Sequence, residues 1–474
     1  MMHLLITGGD SALARAALQH LHAAFQLRVT DTRFSAELPA GVEAHTGDLR
    51  DEAFLNPLLR NVEAILHFAP LSLTLDDDQA NLTHVTLGTY RLARLAGQLQ
   101  VGRLILGSTM KLFAAAPQSW PIDPQWRPRP QPTMADLCAY LAECGLRELA
   151  RDGGVPTVCV RFGAADGTVG PALQQAFAAR CNGWRVLHAT DHSPSPAPAM
   201  PAQVAARAGL KKIVIFGAGG PMAAIAAQEL APHYHLRLTD VKPMAEIVAA
   251  GPRKDQHPGA PPARVLGPPH DEMVVDVTDP AQVLAACAGM DAILNCTVIR
   301  HHEVESFRVN TVGAYNVMAA AVAHGIRRVV HTGPFQLGVD GPAGYNWDDW
   351  VVDDIPSRPG HGMNTYFHTK YLGHEIVRIF AEHYGLEVPT LYFCDFADFV
   401  NLRARDSSVH PFTTTWTDTA RAIRAALEVP TLPSPFEVFH VNSDMPQGIF
   451  PNTKTKRLLG WQPQDPTEAW WLTQ

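Results

Sequence analysis

One register of landmarks occurs twice along this chain, and that repetition limits the fold more than any other feature. Leu4-Leu5-Ile6 runs into Thr7-Gly8-Gly9, and Asp31 follows Gly8 by 23 residues; Ile213-Val214-Ile215 runs into Gly217-Ala218-Gly219-Gly220, and Asp240 follows Gly217 by the same 23. Asp48 precedes Ala64-Ile65-Leu66 by 16 residues, as Asp276 precedes Ala292-Ile293-Leu294 by 16. Gly88 stands 20 residues before Ser108, and Gly313 stands 20 before Gly333. A period of roughly 210 residues is too long for a solenoid unit, so the pattern is that of a duplicated domain.

Between the landmarks, short β-branched runs alternate with Ala/Leu-rich stretches of helical period such as 12–24 and 312–323. That alternation predicts parallel strands joined by crossover helices. The expected architecture is therefore α/β: two tandem doubly wound Rossmann-like parallel-sheet domains. Alternating prolines at 194, 196 and 198 forbid helix and mark a linker. The expected division is a first domain over 1–186, a Pro-rich linker over 187–208 and a second domain over 209–474. The stretch 251–269 interrupts the second copy where the first has no counterpart, and it reads as an exposed loop.

Composition narrows the partners. The net charge is −8 and no Lys/Arg run occurs, which argues against nucleic acid or an anionic membrane surface. Seven scattered cysteines without a CxxC fit free thiols in a reducing compartment. A strand starting near His3 leaves no room for a signal peptide, and no window of 18 apolar residues is present. A cytoplasmic protein acting on a small molecule is expected. His301-His302-Glu303 and His361, His368 and His374 lack the i,i+4 spacing of a helical zinc pair, so no metal is expected.

A glycine-rich turn between a strand and a helix lets a dinucleotide pyrophosphate approach the free N–H groups at the helix start, and an acid about 20 residues on can accept the ribose hydroxyls. Joined in this order, these residues resemble the extended short-chain dehydrogenase/reductase family of the NAD-dependent epimerase/dehydratase type. The resemblance implies NAD bound by the second copy through Gly217, Gly219, Gly220, Pro221, Met222 and Asp240. Asp276-Val277 resembles the family's adenine-contacting pair, and Asn295, Thr297, Tyr366 and Lys370 complete the implied contacts. Asp240 favours NAD over NADP, a preference that Lys242 softens. In the first copy the later glycines have become Ser11 and Ala14, and Asp10 adds negative charge, so weak or absent binding is expected there.

The resemblance also implies a catalytic set. In this family a Tyr acts as general acid/base and a Lys four residues later lowers its pKa; the second copy has Tyr366 and Lys370, which share a helix face at i,i+4. The family's Ser/Thr after the fifth strand is here Gly333-Pro334, leaving Thr332, one or two positions early, as the candidate oxyanion donor and His331 as the other nearby polar group. The first copy is the converse: Ser108-Thr109 keeps the hydroxyls and Tyr140 keeps the Tyr, but Cys144 stands at the Lys position. The family's helix Asn matches Asn310 and becomes Val85 in the first copy.

Only the second copy continues into a C-terminal substrate lobe, a small one, resembling the family at 417–422 and at Leu459-Gly460-Trp461-Gln462-Pro463. Arg403 and Arg405 are its candidate anion contacts, and the aromatic and acidic loop 345–350 a candidate substrate surface. The expected function is an NAD-dependent oxidoreductase or epimerase/dehydratase acting on a small hydroxy or keto compound, sugar-derived compounds included. The alternative is an NAD-binding pseudoenzyme with a scaffold or redox-sensing role. Family members dimerise through the Tyr-Lys helix and its neighbour, so the resemblance implies an internal pseudo-dimer of the two halves, with higher oligomers left open.

Overall fold

The computed structural model describes residues 2–117, 119–190, 202–205, 209–252, 259–338, 364–398, 412–444 and 450–467. The linker prolines 194–198, the loop 345–350, His361, Arg403 and Arg405 lie outside the described residues. The chain divides into two compact units, Met1–Met200 with His361–His368, and Pro201–Gly360 with Thr369–Gln474.

The first unit holds β1 (Met2–Thr7), β2 (Phe25–Asp31), β3 (Glu43–Thr46), β4 (Ala64–His67), β5 (Arg103–Thr109), β6 (Thr157–Phe162) and β7 (Trp184–His188), in the sheet order β3-β2-β1-β4-β5-β6-β7. The second holds β8 (Lys212–Phe216), β9 (His235–Asp240), β10 (Asp271–Val274), β11 (Ala292–Asn295), β12 (Arg328–Pro334), β13 (Val388–Phe393), β14 (Asp395–Ala397), β15 (Thr413–Thr415) and β16 (Phe436–His440). Its main sheet runs β10-β9-β8-β11-β12-β13-β16, and β14-β15 form a separate pair. Every named pairing is parallel. The two sheets thus repeat one topology, which bears out the tandem Rossmann-like reading.

The central strands are covered on both faces, which is why they read as unbroken apolar runs and not as alternating ones. Leu4, Leu5 and Ile6 are fully buried, and so are Ile213, Val214 and Ile215. The strand order reverses between β1 and β4 and between β8 and β11, opening a crevice at the carboxyl ends of the strands where the glycine turns lie. Gly8 and Gly217 both take the left-handed conformation, with φ of 69° and 77°.

The two copies differ in one helix. In the first, Asp78–Gln98 is continuous, and Val85 sits inside it. In the second, the equivalent run is Glu303–Ser306, a π-helical turn over Phe307–Val312, and then Gly313–Ala323. Asn310 lies in that turn, and such bulges concentrate at functional sites. The helix Thr365–Tyr384 comes so close to it that a Cβ placed on Gly373 would lie 2.1 Å from the Asn310 carbonyl oxygen. Only a residue without a side chain fits. Gly97, in the helix Asp78–Gln98, has no such neighbour, its nearest contact being Val155 at 3.8 Å.

These two glycines make a paired test. Gly373→Ala should destabilise the protein by about 2 kcal/mol or more, because backbone must move. Gly97→Ala should be neutral or stabilising by roughly 0.5–1 kcal/mol, the ordinary helix preference for Ala. Chemical denaturation of both variants reads the difference.

Candidate functional site

The glycine turn of the second unit leaves its helix start open. The helix Pro221–Leu230 is capped by Gly220 with no side-chain hydrogen bond, and Pro221 at its first position needs no N–H partner. A Cβ on Gly220 would approach nothing nearer than the Gly217 carbonyl at 3.4 Å, so the turn faces open space there. Gly219 is required for another reason, since a Cβ would crowd Ile247 at 2.9 Å and the Asp240 carboxylate at 3.0 Å. Among the described residues, Asp240 accepts from main-chain N–H groups alone, those of Gly219 (2.9 Å) and Val241 (2.8 Å), which leaves acceptor capacity for two ribose hydroxyls. A cleft of about 540 Å³ runs past Gly219, Gly220, Asp240, Lys242 and Ile247, closed on its far side by Pro252, Pro262 and Ala263. Gly251, Pro252, Pro262 and Ala263 of the inserted stretch thus line the cleft. Asp276 accepts from the Thr278 N–H at 2.8 Å, and Val277 is buried beneath Gly313, whose Cβ would meet it at 2.8 Å. An uncapped helix start, a half-exposed acid and a roomy cleft fit the adenosine end of NAD.

The same positions in the first unit are sealed by their own side chains. Ser11 caps the helix Ala12–Leu21, accepting from the Ala14 N–H and donating to the Gly8 carbonyl at 2.8 Å. Asp10 pairs with Arg15 at 2.5 Å and accepts from the Ser35 N–H and hydroxyl. Asp31 is buried and accepts from the N–H groups of Asp10 and Thr32 and from the hydroxyls of Ser72 (2.7 Å) and Thr74 (3.3 Å). A carboxylate offers about four lone-pair sites, and here all are taken. Asp48, the echo of Asp276, is partly buried, but bonds from His84 and Arg50 hold its carboxyl well below the usual range. Among the described residues, Asp31 therefore keeps no acceptor for a ribose.

At the catalytic positions of the second copy of the register, the helix Thr365–Tyr384 begins at Asn364, whose side chain accepts the N–H groups of Tyr366 (3.1 Å) and Phe367 (3.3 Å). Tyr366 is half-buried in its first turn, and Lys370 follows one turn later, 5% exposed. Lys370 Nζ donates to the Thr297 carbonyl at 2.9 Å. Asn295 Oδ1 accepts both the N–H and the hydroxyl of Thr297, at 3.1 and 2.8 Å, and so fixes that carbonyl. Asn310 bonds both the N–H and the carbonyl of Ile299 and donates to the Thr369 hydroxyl at 2.9 Å. Asn295, Thr297 and Asn310 thus form a brace for Lys370. Burial, with Arg300 nearby, pushes the Lys370 ammonium down to about 7.

Thr332 does not join this group. Side chains alternate across a strand, and Thr332 shares the β12 face of Val330, which packs with Ala223, Ala226, Ala422 and Ile423. Its buried hydroxyl donates to the Asn295 carbonyl at 3.0 Å. The opposite face carries His331 and Gly333, and His331 senses the charges of Lys370 and His374. Tyr392 occupies the space beside Gly333, where an added Cβ would meet its ring at 3.0 Å. This arrangement gives no support to Thr332 as oxyanion donor. Sequence reasoning passed over Tyr392 and Arg300; the signal for Tyr392 was the absence of any side chain at 333.

In the first unit the surviving hydroxyl is equally committed. Ser108 donates to Glu143 at 2.5 Å, and Glu143 forms a buried pair with Arg161 at 2.7 Å. Cys144 is fully buried. The space of a catalytic centre is filled by an internal ion pair.

The Lys370 shift sets a pH window. Its folded value near 7 lies below the unfolded Lys value of about 10.4. Below about pH 7 both states are protonated and the folded protein bears the full cost of burying the ammonium; as pH rises toward 10 that cost is relieved. Lys370→Met should therefore stabilise the cofactor-free protein at pH 6, by on the order of 2 kcal/mol, and the advantage should shrink steadily between pH 7 and 10. Thermal melts across pH check it.

The family model for the NAD dependent epimerase/dehydratase family matches residues 4–180 and again 232–397. Over 189 residues the chain is 26% identical to the uronate dehydrogenase of Pseudomonas putida, covering 38% of this chain and 59% of that protein. Over 186 residues it is 25% identical to the uronate dehydrogenase of Pseudomonas syringae pv. tomato, covering 38% and 58%. The chain thus spans under two thirds of the length of these curated relatives. Among solved structures, uronate dehydrogenase from Agrobacterium tumefaciens aligns with a TM-score of 0.43 at 24% identity, over 54% of this chain and 85% of that one. Among the described residues, no helix is long and apolar enough to cross a membrane. The family match bears out NAD as the expected cofactor. The chain belongs to the NAD-dependent epimerase/dehydratase family and carries that family's domain twice in tandem.

Proposed function

We propose that this chain is an NAD-dependent oxidoreductase of a sugar acid, a hexuronate being the substrate class, and that the second unit alone binds the cofactor. The observation that carries the reading is the contrast between the two acids of one register. Among the described residues Asp240 has two main-chain donors, whereas Asp31 is saturated by four groups of its own unit. The substrate class rests on the likeness to uronate dehydrogenases.

In this reading Gly217, Gly219, Gly220, Pro221 and Met222 hold the pyrophosphate and Asp240 the adenosine ribose, with Asp276, Val277, Asn295 and Thr297 lining the site. NAD supplies the hydride acceptor. Tyr366 takes the proton of the substrate hydroxyl as general base. Lys370, one helical turn on, lowers the Tyr366 pKa by its charge, and the Asn295–Thr297–Asn310 brace sets where that charge stands. With a pKa near 7, Lys370 is readily discharged, so the pH dependence of turnover should report this group as well as Tyr366. Gly333 and Pro334 bring no hydroxyl, so stabilisation of the substrate oxygen falls to groups other than the family's serine.

Two measurements test this. Calorimetric titration with NAD should give one site per chain. Asp240→Ala should weaken it on the order of tenfold or more, while Asp31→Ala leaves the affinity unchanged and lowers the melting temperature by removing the acceptor of the Ser72 hydroxyl and the Asp10 N–H. Tyr366→Phe should then cut hexuronate oxidation by about 10²-fold or more with NAD affinity intact. Unchanged turnover in Tyr366→Phe would refute the assignment, and NAD binding without turnover of any sugar acid would leave the scaffold role in its place.

A further inference from the structure

One face of the helix Pro221–Leu230, continued by Ala231, is short of side chains. Ala224, Ala227 and Ala231 stand seven, ten and 14 residues after Gly217, and in the first copy Arg15, Leu18 and His22 stand at the same distances after Gly8. There the face is filled. Leu18 is 1% exposed in the core, the His22 ring bonds the Leu18 carbonyl at 3.2 Å, and Arg15 reaches Asp10 and the carbonyls of Ala36 and Glu37. In the second copy the space is left as a cavity of about 170 Å³. Its floor is apolar and buried, formed by Ala218, Ala224, Ala227 and Leu238.

Arg264 and Leu266, from the stretch 251–269 that the first copy lacks, also line the cavity. The chain that carries them is pinned at several points. Ala263 and Leu266 pack on the main core of the second unit, and Ala260 packs against Ile225, Trp416 and Ala420. Gly259 lies so near Asp398 that an added Cβ would come within 2.6 Å of the Asp398 Cβ. Pro261 and Pro262 stiffen the run between these contacts. The cavity is thus preformed, and a ligand entering it has little of the protein left to order. Polarity is confined to the rim, where Gln228 and Arg264 are both exposed. Arg264 makes no hydrogen bond or ion pair among the described residues.

We propose that this cavity is a binding site for a small aromatic carboxylate, one ring bearing one acid group. A benzene ring fits an apolar cavity of about 150 Å³, so the space suits a single ring. The floor has nothing to offer the hydroxyls of a sugar: its side chains are hydrocarbon, and the Ala218 N–H is already given to the Thr239 carbonyl at 2.9 Å. A carboxylate at the rim meets the Arg264 guanidinium, whose donors form a fork that matches two carboxylate oxygens. The Gln228 amide can donate a further bond. A ring without charge leaves Arg264 unused. A charge without a ring leaves the floor unfilled, and empty apolar space forfeits packing. The cavity shares no lining residue with the cofactor cleft, so the site does not depend on the reaction assigned to that cleft.

The test is calorimetry of the full chain with benzoate, with benzyl alcohol as the uncharged ring and acetate as the acid without a ring. Benzoate should bind at millimolar concentration or below, and each control about tenfold or more weakly. Arg264→Gln, at an exposed position, should weaken benzoate by about tenfold and leave benzyl alcohol and the melting temperature unchanged. Ala227→Leu, which copies the filled face of the first unit, should abolish benzoate binding, with a retained melting transition showing that the variant folds. Saturating glucuronate should not displace benzoate. Benzoate binding that survives both substitutions, or that glucuronate displaces, would place the acid elsewhere and overturn the proposal. Equal affinity for benzyl alcohol would overturn the part given to Arg264, and absence of benzoate binding at millimolar concentration would overturn the site itself.

Discussion

The candidate catalytic group rests on one close approach, that of the helix Thr365–Tyr384 to the π-helical turn at Asn310. Gly373 permits it, since any Cβ there would collide with the Asn310 carbonyl. The approach places the Asn310 amide on Thr369 and brings Lys370 down to the Thr297 carbonyl, away from solvent. Burial of the ammonium follows directly, and with it a pKa near 7. A Lys in open water keeps its charge at every physiological pH and answers little to what binds beside it. Lys370 is held near the midpoint of its titration, where a nearby phenolate or a bound anion can decide its state. The brace of Asn295, Thr297 and Asn310 has one geometric outcome, a fixed position for that charge.

The first unit shows the same scaffold with the polar groups of its crevice turned on one another. A Rossmann-like crevice collects acids and hydroxyls at the ends of its strands, and without a ligand these would be poorly solvated groups in a half-closed cleft. The chain satisfies each internally. Asp31 takes Ser72 and Thr74, Asp48 takes Arg50 and His84, Asp10 takes Arg15, and Ser108 takes Glu143. The replacement of the Lys by buried Cys144 fits the same logic, because an ammonium without cofactor or phenolate would be a buried charge with nothing to offset it. Glu143, the neighbour of Cys144, instead meets Arg161 from β6. The positions that echo the second unit's candidate site are the ones that carry this internal pairing.

Much of this was legible in the sequence because it depends on spacing along the chain. The duplicated register, the parallel topology, the left-handed glycines and the position of Asp240 all follow from local pattern and from the few ways a doubly wound sheet can be connected. Thr332 lies apart from Lys370 for a physical reason that spacing hides. A residue one place early on a strand is not merely displaced by 3.3 Å or so; it projects from the other face. The saturation of Asp31 was also hidden, since Ser72 and Thr74 lie more than 40 residues away along the chain and come near only through the β1-β4 reversal. The π-helical turn had a sequence sign, Asn310 against Val85, but nothing local states that an Asn there will take both the N–H and carbonyl of Ile299.

The missing serine is the sharpest departure, and the structure indicates why it is not a simple deletion. Gly333 pairs with Tyr392 across β12 and β13, and the Tyr392 ring lies where a side chain at 333 would begin. The Tyr392 hydroxyl bonds His374 at 3.2 Å, and the His374 ring sits 6.4 Å from that of His331. The face of β12 that carries a small hydroxyl in the family therefore carries a tyrosine and two imidazoles, all nearly buried. Burial and the neighbouring Lys370 keep His331 neutral, and its Nδ1 has no hydrogen-bond partner among the described residues. A buried nitrogen without a partner is costly, and a neutral imidazole can either donate or accept. Restoring serine at 333 would crowd Tyr392 before it helped a substrate. His331 stands on the face of β12 that Lys370 shares, whereas Thr332 lies behind the sheet.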